Sequence, residues 1–376
     1  MNRGFSLYLD GLRAGAALLV LISHWAYERF TGGQYGWIRE HDLGGDAVVV
    51  FFVLSGFVIA YTAEKRAREG LRNFAADRLS RLWSVAIPAI LLVILCDPIG
   101  ILIDSTVYDG FFRGYDPTRR LVTALTFTNE LWFISVRPGS NGPWWSLGYE
   151  AWYYVIFACA FFLRGSTRIF WTTAAIALAG PKIWLLAPSW GLGVALWHVV
   201  KHSASLRLRS GLALIILPIA AYGFMQSAHM PMALEAWTEG LLGPRGTVLI
   251  GYSDTFLWAN LLGLLFALHL LGVHVVMQRF AYEPGAGHIA EFIRWAAGGS
   301  FALYLFHYPL LQLSGAALPG EISAIWRHGL LLVLPLVGAY ALAAMTERRR
   351  DPMRDRLRQL LAERPAGRRG WLPATR

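Results

Sequence analysis

The feature that most restricts this chain is a succession of long apolar stretches, each close to the roughly 20 residues a helix needs to cross about 30 Å of hydrocarbon, joined by short polar connections. Runs such as "AIPAILLVILC" and "LLLVLPLVGAYALAAM" do not alternate between apolar and polar residues, which sets aside a closed β-barrel. In lipid every backbone polar group must then be satisfied within its own segment, so the spans are helices. Composition agrees: 56% of the 376 residues are hydrophobic and only 15% are charged, a balance unsuited to a water-soluble protein. The sequence predicts an all-α, polytopic transmembrane helical bundle of about ten spans. They fall near 12–30, 44–63, 82–104, 143–163, 168–186, 187–201, 208–227, 252–278, 295–316 and 324–346.

Short cytoplasmic loops are enriched in Arg and Lys, and this fixes an expected orientation. The connection "EKRAREGLRNFAADRLSR" and the tail beginning "ERRRDPMRDRLRQ" are strongly basic and belong inside. An even number of spans then puts both termini in the cytoplasm. We expect one membrane domain over 1–350 and a basic cytoplasmic tail over 351–376, in a plasma (inner) membrane. The first apolar run is followed by "ISHWAYERF", with no small-residue cleavage site, so it should remain attached. Residues 118–142, partly apolar but carrying Asn129, Glu130 and Arg137, are expected as an outer segment folding back over the site; 105–142 and 228–251 are read as outer loops. The net charge of +10 follows from basic inner loops, which attract anionic membrane lipid, and nucleic acid is not an expected partner. Cys96 and Cys159 both lie in apolar runs and read as packing residues.

Ionisable side chains at membrane depth are costly and mark interior or wet sites. Arg13 and His24, eleven residues apart, differ by about 20° around a helix and are separated by about 16 Å along it. Glu150 sits among Trp144, Trp145, Trp152, Tyr153 and Tyr154, with Ser146 one turn earlier on its face. Ser300, Tyr304 and His307 share a face of a later span. Three spans thus bring His24, Glu150 and His307 to a similar depth, the pattern of an internal site. An imidazole titrating near neutrality is the usual general base, and a carboxylate could orient it. His198 and His202 have metal-like spacing but no obvious carboxylate third ligand, and no metal is expected. A proton-coupled transporter or flippase, using the same residues as a relay, is the alternative.

The strings "LDGLRAGAALLVLISH", "GGDAVVVFFVLSGFVIA", "DRLSRLWSVAIPA", "GPWWSLGYEAWYYV", "SFALYLFHYPL" and "YALAAMTERRRDPMRDRLR" resemble, in this order, the successive motifs of the acyltransferase 3 family of integral membrane acyltransferases. Near the end the sequence departs from the family, which often has Glu closely followed by Pro; here Glu347 and Pro352 are separated by three arginines and Asp351. The resemblance implies transfer of an acyl group, most often acetyl, from cytoplasmic acyl-CoA to a hydroxyl of a glycan or other envelope or secreted acceptor. It implies His24 as the catalytic residue, Arg13 as its paired motif residue and Glu150 as the acid of the "WSLGYE" motif. Arg13, Arg78 and Arg81 at the inner mouth would hold the phosphates of the donor, acyl-CoA. Asp10, Ser55, Trp145, Ser146, Tyr304 and His307 are further site candidates within the same motifs.

Overall fold

The computed structural model describes residues 2–109, 116–203, 206–279, 287–318 and 323–362, which contain helices and connections but no strand. In chain order the helices are α1 (Arg3–Trp25), α2 (Glu28–Thr31), α3 (Gly36–Glu40), α4 (Leu43–Lys65), α5 (Gly70–Ile103), α6 (Pro117–Thr126), α7 (Trp145–Phe162) and α8 (Gly165–Ala179). They continue with α9 (Pro181–Val200), α10 (Leu208–Ser227), α11 (Met230–Ile250), α12 (Phe256–Arg279), α13 (His288–Ala297), α14 (Ser300–Ala317), α15 (Ala324–Met345) and α16 (Asp351–Ala362).

Seven helical stretches are long and apolar enough to cross a membrane: α1, α4, α5, α9, α10, α11 with α12, and α15 with α16. Three of the ten expected spans, on α7, α8 and α14, fall outside that set. Helix α8 has only 15 residues, while α7 and α14 are rich in Trp, Tyr, Ser and His. Most of α14 is buried in protein, including every residue from Ser300 to Pro309, so it has little lipid-facing side to keep apolar.

The core is built around α1, α4, α5, α7 and α14, with α9 packed against α4. Small residues let helix backbones approach closely in a membrane protein, and α4 and α9 use one glycine each. A Cβ on Gly56 would lie 2.0 Å from the Trp190 carbonyl oxygen, and one on Gly193 would lie 2.0 Å from that of Val53. The neighbouring Ser55 lies between α9 and α7, accepting from Trp190 Nε1 (3.3 Å) and donating to Glu150 Oε1 (2.6 Å). At the other end of α4, Asp42 caps the helix by accepting from Gly45 N (3.3 Å). Gly44 lies so close to α1 that a Cβ would meet Ser23 Oγ at 2.6 Å, and this seats α4 beside His24.

The structure corrects several expected boundaries. The first span begins nine residues before position 12, where the Asn2 side chain accepts from Gly4 N (2.8 Å) and starts the helix. Arg13 therefore sits within α1, more than two turns from its start. Residues 228–251, expected as a loop, contain α11, kinked where Gly243 (φ 69°) precedes Pro244. Residues 118–142 contain nearly all of the short helix α6, largely exposed, followed by turns in which Asn129, Glu130, Ser140 and Asn141 are buried against the bundle. Asp97 of α5 accepts from Ser140 N (2.8 Å) and Ser140 Oγ (2.7 Å), and Asn141 Nδ2 donates to Leu305 O (3.0 Å) on α14. Glu130 forms a buried ion pair with Lys182 at the start of α9. Of the tail, α16 lies against α5, where Arg358 donates to Asp77 (2.9 Å).

Candidate active site

Two cavities lie end to end inside the bundle. The first is lined by Arg13 from α1, Ser55 from α4, Arg78 and Arg81 from α5, Ser146, Glu150 and Tyr154 from α7, and Phe301 and Tyr304 from α14. Its charge is dominated by three guanidiniums facing one carboxylate. Glu150 does not point to a histidine: its Oε1 accepts from Ser55 Oγ (2.6 Å) and from Tyr154 OH, one turn on along the same face of α7. Arg78 lies over the rings of Phe74 and Tyr154, and its buried Nε has no partner among the described residues. Arg81 lies over Phe301 at 5.8 Å. Behind them Glu347, buried and close to Arg81 and Arg13, accepts from Ala302 N (2.9 Å) and so satisfies a free backbone donor at the start of α14.

The second cavity opens beside the loops that follow α1 and precede α12. It is lined by Val20, His24, Tyr27, Arg39, Asp42, Pro143, Trp145, Tyr252, Asp254 and Tyr304, among others. Trp145 and Tyr252 stack face to face, with centroids 4.8 Å apart. Arg39 crosses the Tyr27 ring at 4.5 Å and donates to Ser23 Oγ (2.9 Å). Burial pushes the Asp42 carboxyl up from its ordinary pKa, against the pull of Arg39. Val48, Phe52 and Tyr304 line both cavities and form the partition between them. Tyr304 OH donates to Pro143 O (3.1 Å) and is 2.6 Å from Ser146 Oγ, which fixes its ring in place.

His24 lies at the wall of the second cavity, partly exposed to it. Its Nδ1 is 3.0 Å from Nε2 of the fully buried His307, whose Nδ1 is 2.9 Å from the Leu303 carbonyl oxygen. The expected pairing of Glu150 with His24 is thus replaced by a pairing of His24 with His307. The helical face shared by Arg13 and His24 runs past both cavities, with the arginine in one and the imidazole in the other. Ser55 and Ser146 join the arginine cavity, Trp145 joins the second, and Tyr304 lines both. Asp10 lines neither and has Arg13 and Arg294 as its charged neighbours.

Arg39 and Asp42 were missed because they sit in the short segment between α1 and α4, and Tyr252 and Asp254 because they fall at the very start of an expected apolar span where no period singled them out. Tyr154 was legible: it follows Glu150 at i+4 in "EAWYY". His202 Nδ1 is 2.9 Å from the His198 carbonyl oxygen, and the described residues hold no cluster of three or more metal-ligating side chains.

Residues 6–344 match the sequence profile of the acyltransferase domain family, acyltransferase 3. The chain belongs to this family. Among its relatives is the acyltransferase MdmB of Streptomyces mycarofaciens, 26% identical over 366 residues that cover 82% of this chain and 88% of MdmB. The peptidoglycan O-acetyltransferase OatA of Listeria monocytogenes is 25% identical over 385 residues, covering 92% of this chain but 55% of OatA. An O-acetyl transferase of Shigella phage Sf6 is 24% identical over 152 residues, 39% of this chain and 43% of the phage protein. No solved structure matches the chain. The acyltransferase 3 membership extends across both cavities, from Arg13 on α1 to Tyr304 on α14.

Proposed function

We propose that this protein is a multi-pass plasma-membrane O-acyltransferase that moves an acyl group, acetyl first among them, from cytoplasmic acyl-CoA to a hydroxyl of a glycan or other envelope or secreted acceptor. The observation that carries the reading is the pair of cavities meeting at Val48, Phe52 and Tyr304, one with three arginines and the other with an imidazole. CoA is a polyanion, and Arg13, Arg78 and Arg81 are suited to hold its phosphates through charge-assisted hydrogen bonds. The pantetheine arm then runs along α1 past Tyr304, bridging much of the roughly 16 Å between Arg13 and His24. In the outer cavity His24 Nε2 takes the proton of the acceptor hydroxyl as its oxygen bonds to the thioester carbon. The C–S bond breaks, and the CoA thiolate recovers the proton from His24. The relatives named as O-acetyltransferases support a hydroxyl acceptor.

The same reading places 1–350 in one membrane domain of about ten spans, with both termini and the basic tail from 351 on the donor side. Its test is transfer of labelled acetyl from acetyl-CoA to envelope glycan by detergent-purified protein, without any gradient. Transfer separates it from a proton-coupled transporter. His24→Ala should lower the rate by about 10²–10⁴-fold with the protein still folded and still binding acyl-CoA. Near-normal transfer by that variant would remove His24 from the chemistry.

A further inference from the structure

A general base that uses Nε2 must carry its own proton on Nδ1, and nothing in an isolated imidazole enforces that choice. In this site the hydrogen-bond network enforces it. The Leu303 carbonyl oxygen can only accept, so the contact to His307 Nδ1 (2.9 Å) requires the proton on that nitrogen. The Nε2 of neutral His307 is then a bare acceptor, and the 3.0 Å contact to His24 Nδ1 requires His24 to donate. Nε2 of His24 is left with its lone pair, on a ring that borders the outer cavity. The two rings lie nearly parallel, 27° apart with centroids at 5.1 Å, and Tyr308 closes edge-on against His24 at 4.9 Å. His307 itself is fully buried and has no route to a substrate.

We propose that His307 is a positioning residue that holds His24 in the Nδ1–H tautomer, taking the place that a buried carboxylate occupies in a Ser-His-Asp arrangement. When His24 Nε2 accepts the acceptor's proton, the positive charge on the ring is stabilised through Nδ1–H by the neutral His307, whose orientation is fixed by the carbonyl of its own helix. The buried carboxylate of Glu150 is left to its other partners, Ser55 and Tyr154, in the donor cavity. This inference rests on His24 being the base. It adds the residue that prepares that base and explains why none of the acids lining the outer cavity is its hydrogen-bond partner.

The test compares His307→Gln, whose amide oxygen can accept from His24 Nδ1, with His307→Leu, which cannot. Transfer from acetyl-CoA gives kcat and the donor KM, and ¹⁵N NMR of histidine-labelled protein in detergent reads the His24 tautomer. We expect His307→Leu to lose about 10²-fold in kcat with donor KM unchanged, and His307→Gln to stay within about tenfold of the parent. The spectrum should show Nδ1–H on His24 in the parent and in His307→Gln, and a mixture of tautomers in His307→Leu. Equal losses in the two folded variants, or an Nε2–H tautomer in the parent protein, would overturn the proposal. The parent spectrum decides the matter even if His307→Leu does not fold. Failure of the base reading is a separate result, near-normal transfer by His24→Ala, which leaves the tautomer measurement untouched.

Discussion

Arg13 shares a helix with His24 and a cavity with Arg78 and Arg81, so on the proposed reading it links the donor and acceptor halves of the site. It lies ten residues into α1, with its guanidinium lining a cavity inside the bundle. A guanidinium held there among Arg81, Glu347, Asp10 and Glu150 has compensation but also a partner of like charge. An incoming phosphate would relieve that repulsion. A hydrogen bond to a charged group contributes about 1.5–3 kcal/mol, so Arg13→Ala or Arg81→Ala should raise the KM for acyl-CoA by about tenfold or more while kcat falls less. Initial rates over a range of acetyl-CoA concentrations measure this, and an unchanged donor KM would take the phosphates away from these arginines. The residues Arg13, His24 and Glu150 were legible as a sequence pattern because charge in an apolar run is conspicuous. Their partners were not, because a period of 3.6 residues fixes the face of a helix and not the neighbour opposite. That is why the acid expected beside His24 proved to be bound to Ser55 and Tyr154, with His307 in its place.

At the scale of the elements, the site depends on how closely α4 approaches α9. Gly56 and Gly193 interlock backbone against backbone, while Gly191, also on α9, faces open space. Overpacking a tight contact costs about 1–3 kcal/mol, so Gly56→Ala and Gly193→Ala should lower the thermal midpoint in detergent and weaken transfer, and Gly191→Ala should change neither. Equal behaviour of all three would show that the close approach is not needed. The clamp on residues 127–142 makes a second prediction. Lys182→Met leaves the Glu130 carboxylate buried and unpaired and should cost about 3–5 kcal/mol, read as a lowered midpoint, with much of the loss recovered in the double variant Glu130→Gln/Lys182→Met. Long apolar runs made most of the helices readable in advance. The α11 region was not, because its Pro, Gly and charged residues broke the run, and α7 and α14 were readable as helices but not as the lipid-shielded centre of the fold.

For the whole molecule the decisive property is sidedness. The arginine cavity lies toward the end of the bundle that carries the basic connection between α4 and α5 and the packed helix α16. The vestibule of His24 opens among the loops after α1 and before α12, at the other end. Between them stand Val48, Phe52 and Tyr304, which line both cavities, and on the proposed reading the thioester arm passes between these side chains. A soluble acyltransferase would gain nothing from such a division, but an enzyme joining a cytoplasmic donor to an external acceptor requires it. We therefore expect sided transfer in sealed proteoliposomes of defined orientation: acetyl-CoA should be used only from the face bearing the basic α4–α5 connection, and a membrane-impermeant acceptor only from the opposite face. Orientation is read by protease access to α16 or by labelling a cysteine introduced at Arg68. Placing both substrates on the α16 face should give no product, and permeabilising the same vesicles should restore it. Product formed with donor and acceptor confined to one face would mean that the two cavities do not open to opposite sides, and the thioester would have no need to pass Tyr304.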